Sequence, residues 1–167
     1  MNSDLQNRLA LHKRKLEISN ALLSTQEIQK ILKENNILYD MYFHGFPELN
    51  KGQVDSCPIN QKLSASALEF TAAGFVNWNR NLHKTISIDA GEVMNQISAA
   101  VASNIQLPRT VEIASDDLQY QLTISWEDFV LVYHLLRIII PVPVILIDST
   151  LLWVDDGTSL KFINKLN

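Results

Sequence analysis

Residues 129–147, FVLVYHLLRIIIPVPVILI, are apolar almost without interruption, and any fold of this chain has to bury them. The run is about 19 residues long, close to the ~20 that span a bilayer as a helix. Its contents argue against that use. Arg137 near mid-span is costly in lipid, and Pro141 and Pro143 break a helix because each lacks an N–H and clashes with the preceding turn. The run therefore divides into a buried helix ending before Pro141 and a buried strand over 144–147. Ser125-Trp126-Glu127-Asp128 supplies the helix start, with a capping serine and two acids in the first turn, where the helix dipole favours negative charge. A helix apolar nearly all round is normally central and covered on more than one side. His134 within it is expected to be a core histidine with one hydrogen bond.

Strand patterns flank that helix. Residues 118–124 alternate Leu118, Tyr120, Leu122 and Ile124 against Gln119, Gln121 and Thr123, the pattern of a half-buried strand. Residues 109–113 read as its hairpin partner across Ser115-Asp116-Asp117. Downstream, 144–147, 151–154 and 159–163 form a three-strand meander. Asp148-Ser149-Thr150 turns the first pair. Asp156-Gly157 turns the second, since Asp-Gly supplies the positive backbone angles of a tight hairpin. Upstream, Thr85-Ile86-Ser87-Ile88 alternates like a strand. Val93, Met94, Ile97, Ala100 and Val101 recur at helical spacing.

The N-terminal region is helical. Residues 3–22 read as a helix with Leu5, Leu9, Leu16 and His12 on one side. Ser24-Thr25-Gln26-Glu27 fits a capping box opening a second helix. Asn35-Asn36 closes that helix, because asparagine tolerates the left-handed cap conformation. Residues 37–43 fit either a strand or a helical extension, and 63–83 fit either a short helix or two strands. Residues 44–62 hold Gly45, Pro47, Gly52 and Pro58 and read as a polar loop. The expectation is an α+β fold: a mainly antiparallel sheet of four to six strands packed with helices, after two N-terminal helices. At 167 residues the chain reads as a single domain (1–167), with a helical segment over 1–43, the loop 44–62 and an α+β segment over 63–167.

Common chemical motifs are missing from the sequence. The five glycines are too scattered for a dinucleotide or phosphate loop. No two of His12, His44, His83 and His134 have the close spacing of paired metal ligands, and no metal or cofactor is expected. Cys57 follows Asp55, a neighbour that would raise a thiol pKa rather than activate it. One cysteine allows no intramolecular disulfide, which suits a reducing, cytoplasmic setting. Met1-Asn2-Ser3-Asp4 lacks the basic and apolar segments of a signal peptide. No catalytic residue is assigned.

Charge is the remaining guide. Residues 85–160 carry ten acids and two bases, a net −8, while the whole chain is −4. That balance disfavours nucleic-acid binding by the C-terminal half and points to a basic protein partner. The leading expectation is a non-catalytic protein–protein interaction protein, an acidic inhibitor or immunity-type protein. Asp116, Asp117, Asp155 and Asp156, all at turns, are its binding candidates. The strand, capped helix, hairpin, capped helix layout of 85–137 is similar to small domains of phage tail proteins. That similarity implies the alternative of a homo-oligomeric structural component of a phage or secretion machine. An enzyme with a site assembled over long range, from His44, Cys57 or His83 with turn carboxylates, is the third reading. A membrane role is not expected.

Overall fold

The structure, a computed structural model, describes residues 2–50, 59–64, 66, 68–69, 76–81, 83–88, 92–103, 105–115 and 119–164. Among the described residues, five helices, α1 (Asn2–Ser24), α2 (Gln26–Glu34), α3 (Ile59–Ser64), α4 (Val93–Ala102) and α5 (Trp126–Ile139), accompany seven strands. The strands are β1 (Asp40–Phe43), β2 (Lys84–Ser87), β3 (Thr110–Ala114), β4 (Tyr120–Ser125), β5 (Val144–Ile147), β6 (Leu151–Asp155) and β7 (Ser159–Asn164). All their pairings are antiparallel, in the order β1-β4-β3-β5-β6-β7-β2. The fold is α+β, with one strand more than the upper expectation. Residues 40–43 resolve as an edge strand rather than a helical extension.

Strand parity divides the sheet into two faces. Val111, Ile113, Leu122, Ile145, Leu151, Trp153, Leu160 and Phe162 face the main core, into which α2, α4 and α5 bury Ile28, Leu32, Val93, Ile97, Phe129, Val132, Tyr133 and Leu136. The opposite face buries Ala114, Leu146, Leu152 and Ile163 under Ile59 and Leu63 of α3. The apolar run at 129–147 is thus α5, a proline-bounded link and β5. Among the described residues no helix is long and apolar enough to cross a membrane. Within the link, Val142 holds a positive φ of 45° between two prolines, a rare conformation for a β-branched residue.

Local chemistry explains the ends of the elements. The Ser125 side chain accepts a hydrogen bond from the Asp128 N–H and caps α5. At the end of α2, Asn36 takes φ 55°, the Ile37 N–H bonds the Leu32 carbonyl and the Asn36 N–H bonds that of Lys33. This is the Schellman arrangement, and Ile37 is buried beside it. Ser24 behaves differently from its expected capping role. Its hydroxyl donates back to the Ala21 carbonyl, and Thr25 donates to that of Leu22. The serine and threonine thus satisfy the end of α1 instead of the start of α2, and the two helices meet at a single residue, Thr25.

Helix α5 is flanked by α2, α4 and the sheet, but its outer ridge is open. Leu131 and Ile138 are exposed there, and so is His134. The expected core histidine is therefore a surface residue: positions 127, 131, 134 and 138 form one helical stripe, and that stripe faces outward.

Candidate functional site

Most described carboxylates of the acidic half are engaged within the fold. Asp148 accepts the backbone N–H groups of Arg109 and Thr110 at 3.0 and 2.9 Å, tying the β5–β6 turn to the start of β3. Asp155 is 1% exposed and faces α5. It accepts from the Tyr133 hydroxyl at 2.6 Å, from Arg137 Nε and Nη2 at 2.8 and 3.1 Å, and from the Gly157 N–H at 2.8 Å. Burial, reinforced by the Asp155 charge, raises the Tyr133 pKa well above that of an ordinary phenol, so its hydroxyl remains a donor. Hydrogen bonding to Asp155 likewise raises the pKa of Arg137. Asp155 is therefore an internal strut rather than a surface charge. On the other face Glu112 accepts from Lys62 and Gln121.

Asp156 is the exposed member of the pair. Its carboxylate accepts the N–H groups of Thr158 and Ser159 at 3.0 and 2.7 Å, and both hydroxyls at 2.9 and 2.8 Å. Partial burial pushes its pKa up, but these four donors outweigh that and hold it at about 2, against an ordinary 3.8. A depressed folded-state pKa contributes stability that is present above the unfolded value and lost as pH falls through the folded one. Asp156→Asn is accordingly expected to lower the Tm at pH 7, with the gap to wild type closing between about pH 4 and pH 2. A gap constant down to pH 2 in a thermal-melt series would remove the charge as the cause. Asp116, Asp117 and Cys57 lie outside the described residues.

The histidines sit in separate aromatic settings. His44 meets Tyr42 edge-on and His83 meets Trp78 edge-on. Burial lowers the His44 pKa, and among the described residues its buried Nε2 has no hydrogen-bond partner. His44 opens the segment read from sequence as a polar loop, yet its ring is partly buried. Among the described residues no group of three or more His, Cys, Asp or Glu could hold a metal ion.

A surface missed by the acidic-turn reading lies at the N-terminus. Every residue from 3 to 13 of α1 is exposed. Only Arg14, Glu17, Ile18 and Ala21 are turned inward, an i, i+3, i+4, i+7 stripe. Arg14 makes the principal anchor. Its Nε and Nη2 reach the two Glu48 oxygens at 3.0 and 2.8 Å, Nη2 also donates to the Gly45 carbonyl at 2.7 Å, and the guanidinium lies 4.6 Å from the Phe46 ring centre. Hydrogen bonding and charge from Glu48 raise the Arg14 pKa. With that short mixed stripe docked, the leucine stripe faces out: Leu5, Leu9, Leu16 and Leu23 are 58, 60, 51 and 60% exposed. Helical spacing alone groups three of these leucines on one side; it carries no sign that this is the outer side.

No known protein family, curated protein or solved structure matches this chain. Its own surface is therefore the guide to its function.

Proposed function

We propose that this chain is a non-catalytic protein–protein interaction protein that meets its partner through the outer face of α1. One observation carries the reading: a helix whose inward stripe is only Arg14, Glu17, Ile18 and Ala21, anchored by Arg14 on Glu48, with its leucines directed to solvent. Burying the leucine stripe against the chain's own core would gain apolar contact, yet the helix seats Arg14, Glu17, Ile18 and Ala21 inward instead. An apolar face kept outward on a helix seated in this way is the usual form of a helix-recognition surface.

A second reading, an acidic inhibitor-type contact with a basic partner, is favoured by Asp156, which is exposed and stays ionised down to about pH 2. One experiment separates the two. A photo-crosslinking amino acid is placed in the full chain at position 9, 16, 156 or 107 and irradiated in the source cells. Leu107 is exposed but lies elsewhere, so it controls for general stickiness. A discrete adduct from positions 9 and 16 alone is expected. An adduct only from position 156, to a basic protein, would replace the first reading with the second. Equal labelling from 107, or no discrete adduct at any position, would overturn both.

A further inference from the structure

We infer that the partner seated on α1 is an amphipathic helix carrying carboxylates along both edges of its apolar seam, and not a second copy of this chain. The inference rests on the reading that the outer face of α1 is the contact. Leu5, Leu9, His12, Leu16, Ser19 and Leu23 follow one another at spacings of four and three residues in alternation. That is the seam of a two-helix coiled coil, which keeps one stripe facing its partner along the whole helix. All six side chains are exposed. The polar residues His12 and Ser19 inside the seam fix register at some loss of affinity. They also interrupt the continuous apolar face that insertion into a lipid surface rewards.

The edges of the seam decide the occupant. One edge carries Gln6, Lys13 and Asn20, and the other Arg8, Lys15 and Leu22. Three bases and no acid stand there. In a coiled coil these edge residues face their counterparts on the other helix and set partner choice. Because neither edge holds an acid, no register of two copies, parallel or antiparallel, places a base against a carboxylate. A parallel pair sets Arg8 of each copy against Lys13 of the other. The acids on α1 lie off the seam: Asp4 pairs with Arg8 at 3.2 Å, and Glu17 lies 4.0 Å from Lys13 and 3.7 Å from Arg14. Arg8 and Lys13 are nearly fully exposed, so these pairs within the helix are weak and yield readily to a partner's carboxylates. At its C-terminal end the seam runs into a groove between α1 and α2, lined by Leu22 and Leu23 and by both Lys30 and Lys33 and Glu27 and Glu34, so the surface extends beyond the helix itself while the basic excess is confined to the seam edges.

The test uses two synthetic four-heptad peptides, each with leucine at every seam position. One has glutamate and the other lysine at every edge position. Binding to the full-length protein is followed by fluorescence anisotropy. The glutamate peptide is expected to bind at least about ten-fold more tightly than the lysine peptide, with the advantage shrinking as salt rises from about 50 to 500 mM. Leu9→Glu with Leu16→Glu should abolish binding while leaving the Tm unchanged, since both residues are exposed. Arg8→Glu, Lys13→Glu and Lys15→Glu together should reverse the preference between the peptides. Equal affinity for the two peptides would overturn the inference. A homodimer by light scattering that Leu9→Glu/Leu16→Glu dissolves would assign the seam to a second copy instead. Binding to phosphatidylglycerol vesicles with neither peptide bound would assign it to lipid. If neither peptide binds while positions 9 and 16 still crosslink to a protein, the acidic-helix inference fails and the interaction reading stands. If crosslinking fails as well, both fall.

Discussion

Asp155→Ala is expected to destabilise the protein by about 3–5 kcal/mol, the usual result of removing one partner from a buried ion pair. The reason is the company that Asp155 keeps. Its 1%-exposed carboxylate holds Arg137 and Tyr133 of α5 and the Gly157 N–H of the β6–β7 turn at once. Removing it leaves a buried hydroxyl and a guanidinium only 16% exposed without their acceptor. At this chain length the loss corresponds to a Tm decrease of roughly 10 °C. Asp155→Asn keeps an oxygen for Tyr133 and should cost about half as much, because only the charge and some of the bidentate contact are lost. A double-mutant cycle with Arg137→Ala should return a coupling of roughly 2 kcal/mol. Coupling under about 0.5 kcal/mol would show that Asp155 acts through the turn and Tyr133 alone. Urea titrations at pH 7 with an unchanged m-value are the measurement.

The same residue marks where the sequence is readable and where it misleads. Hairpin chemistry at Asp156-Gly157 is legible, and Gly157 does take a positive φ of 89°. The alternation over 118–124, the serine cap of α5 and the asparagine end of α2 are equally plain, because each depends on residues within one turn or one strand. Sequence position alone groups Asp155 with the solvated acids of that turn. Parity contains the correction: positions 151, 153 and 155 share a face of β6, and Leu151 and Trp153 lie in the core. The excess of acids in residues 85–160 suggests an acidic surface. Much of it serves instead to hold backbone donors at turns and to pair with Arg137 and Lys62, partners that only the tertiary structure brings near. For α1 the obstacle is different. A leucine stripe normally marks the buried face of a helix. Here the inward stripe is instead Arg14, Glu17, Ile18 and Ala21, and its most distant tie, the Arg14–Glu48 contact across 34 residues, is one that no local pattern announces.

Lys62→Met is expected to cost about 3 kcal/mol, and Lys62→Met with Glu112→Gln to return to within about 1 kcal/mol of wild type. Glu112 lies under α3, with its side chain 9% exposed. Lys62 caps one of its oxygens and Gln121 Nε2 donates to the same atom at 3.0 Å. The other end of that glutamine, Oε1, accepts the Ile59 N–H at 2.6 Å where α3 begins. The three side chains therefore hold α3 on the sheet in one register, while Ile59 and Leu63 supply its apolar contact. Methionine keeps the length and apolar stem of Lys62 but removes the charge, leaving a largely buried carboxylate served, among the described residues, by the Gln121 amide. Making position 112 a glutamine removes that charge as well and retains an acceptor for Gln121. The pair thus adds little net stability over a neutral equivalent, yet losing one member is costly, because a buried charge is far more expensive unpaired than absent. If the double variant is no more stable than Lys62→Met, the lost stability belongs to packing of the lysine stem, and the charge argument for α3 falls. If Lys62→Met is itself neutral, Glu112 is hydrated, and α3 rests on Ile59, Leu63 and Gln121.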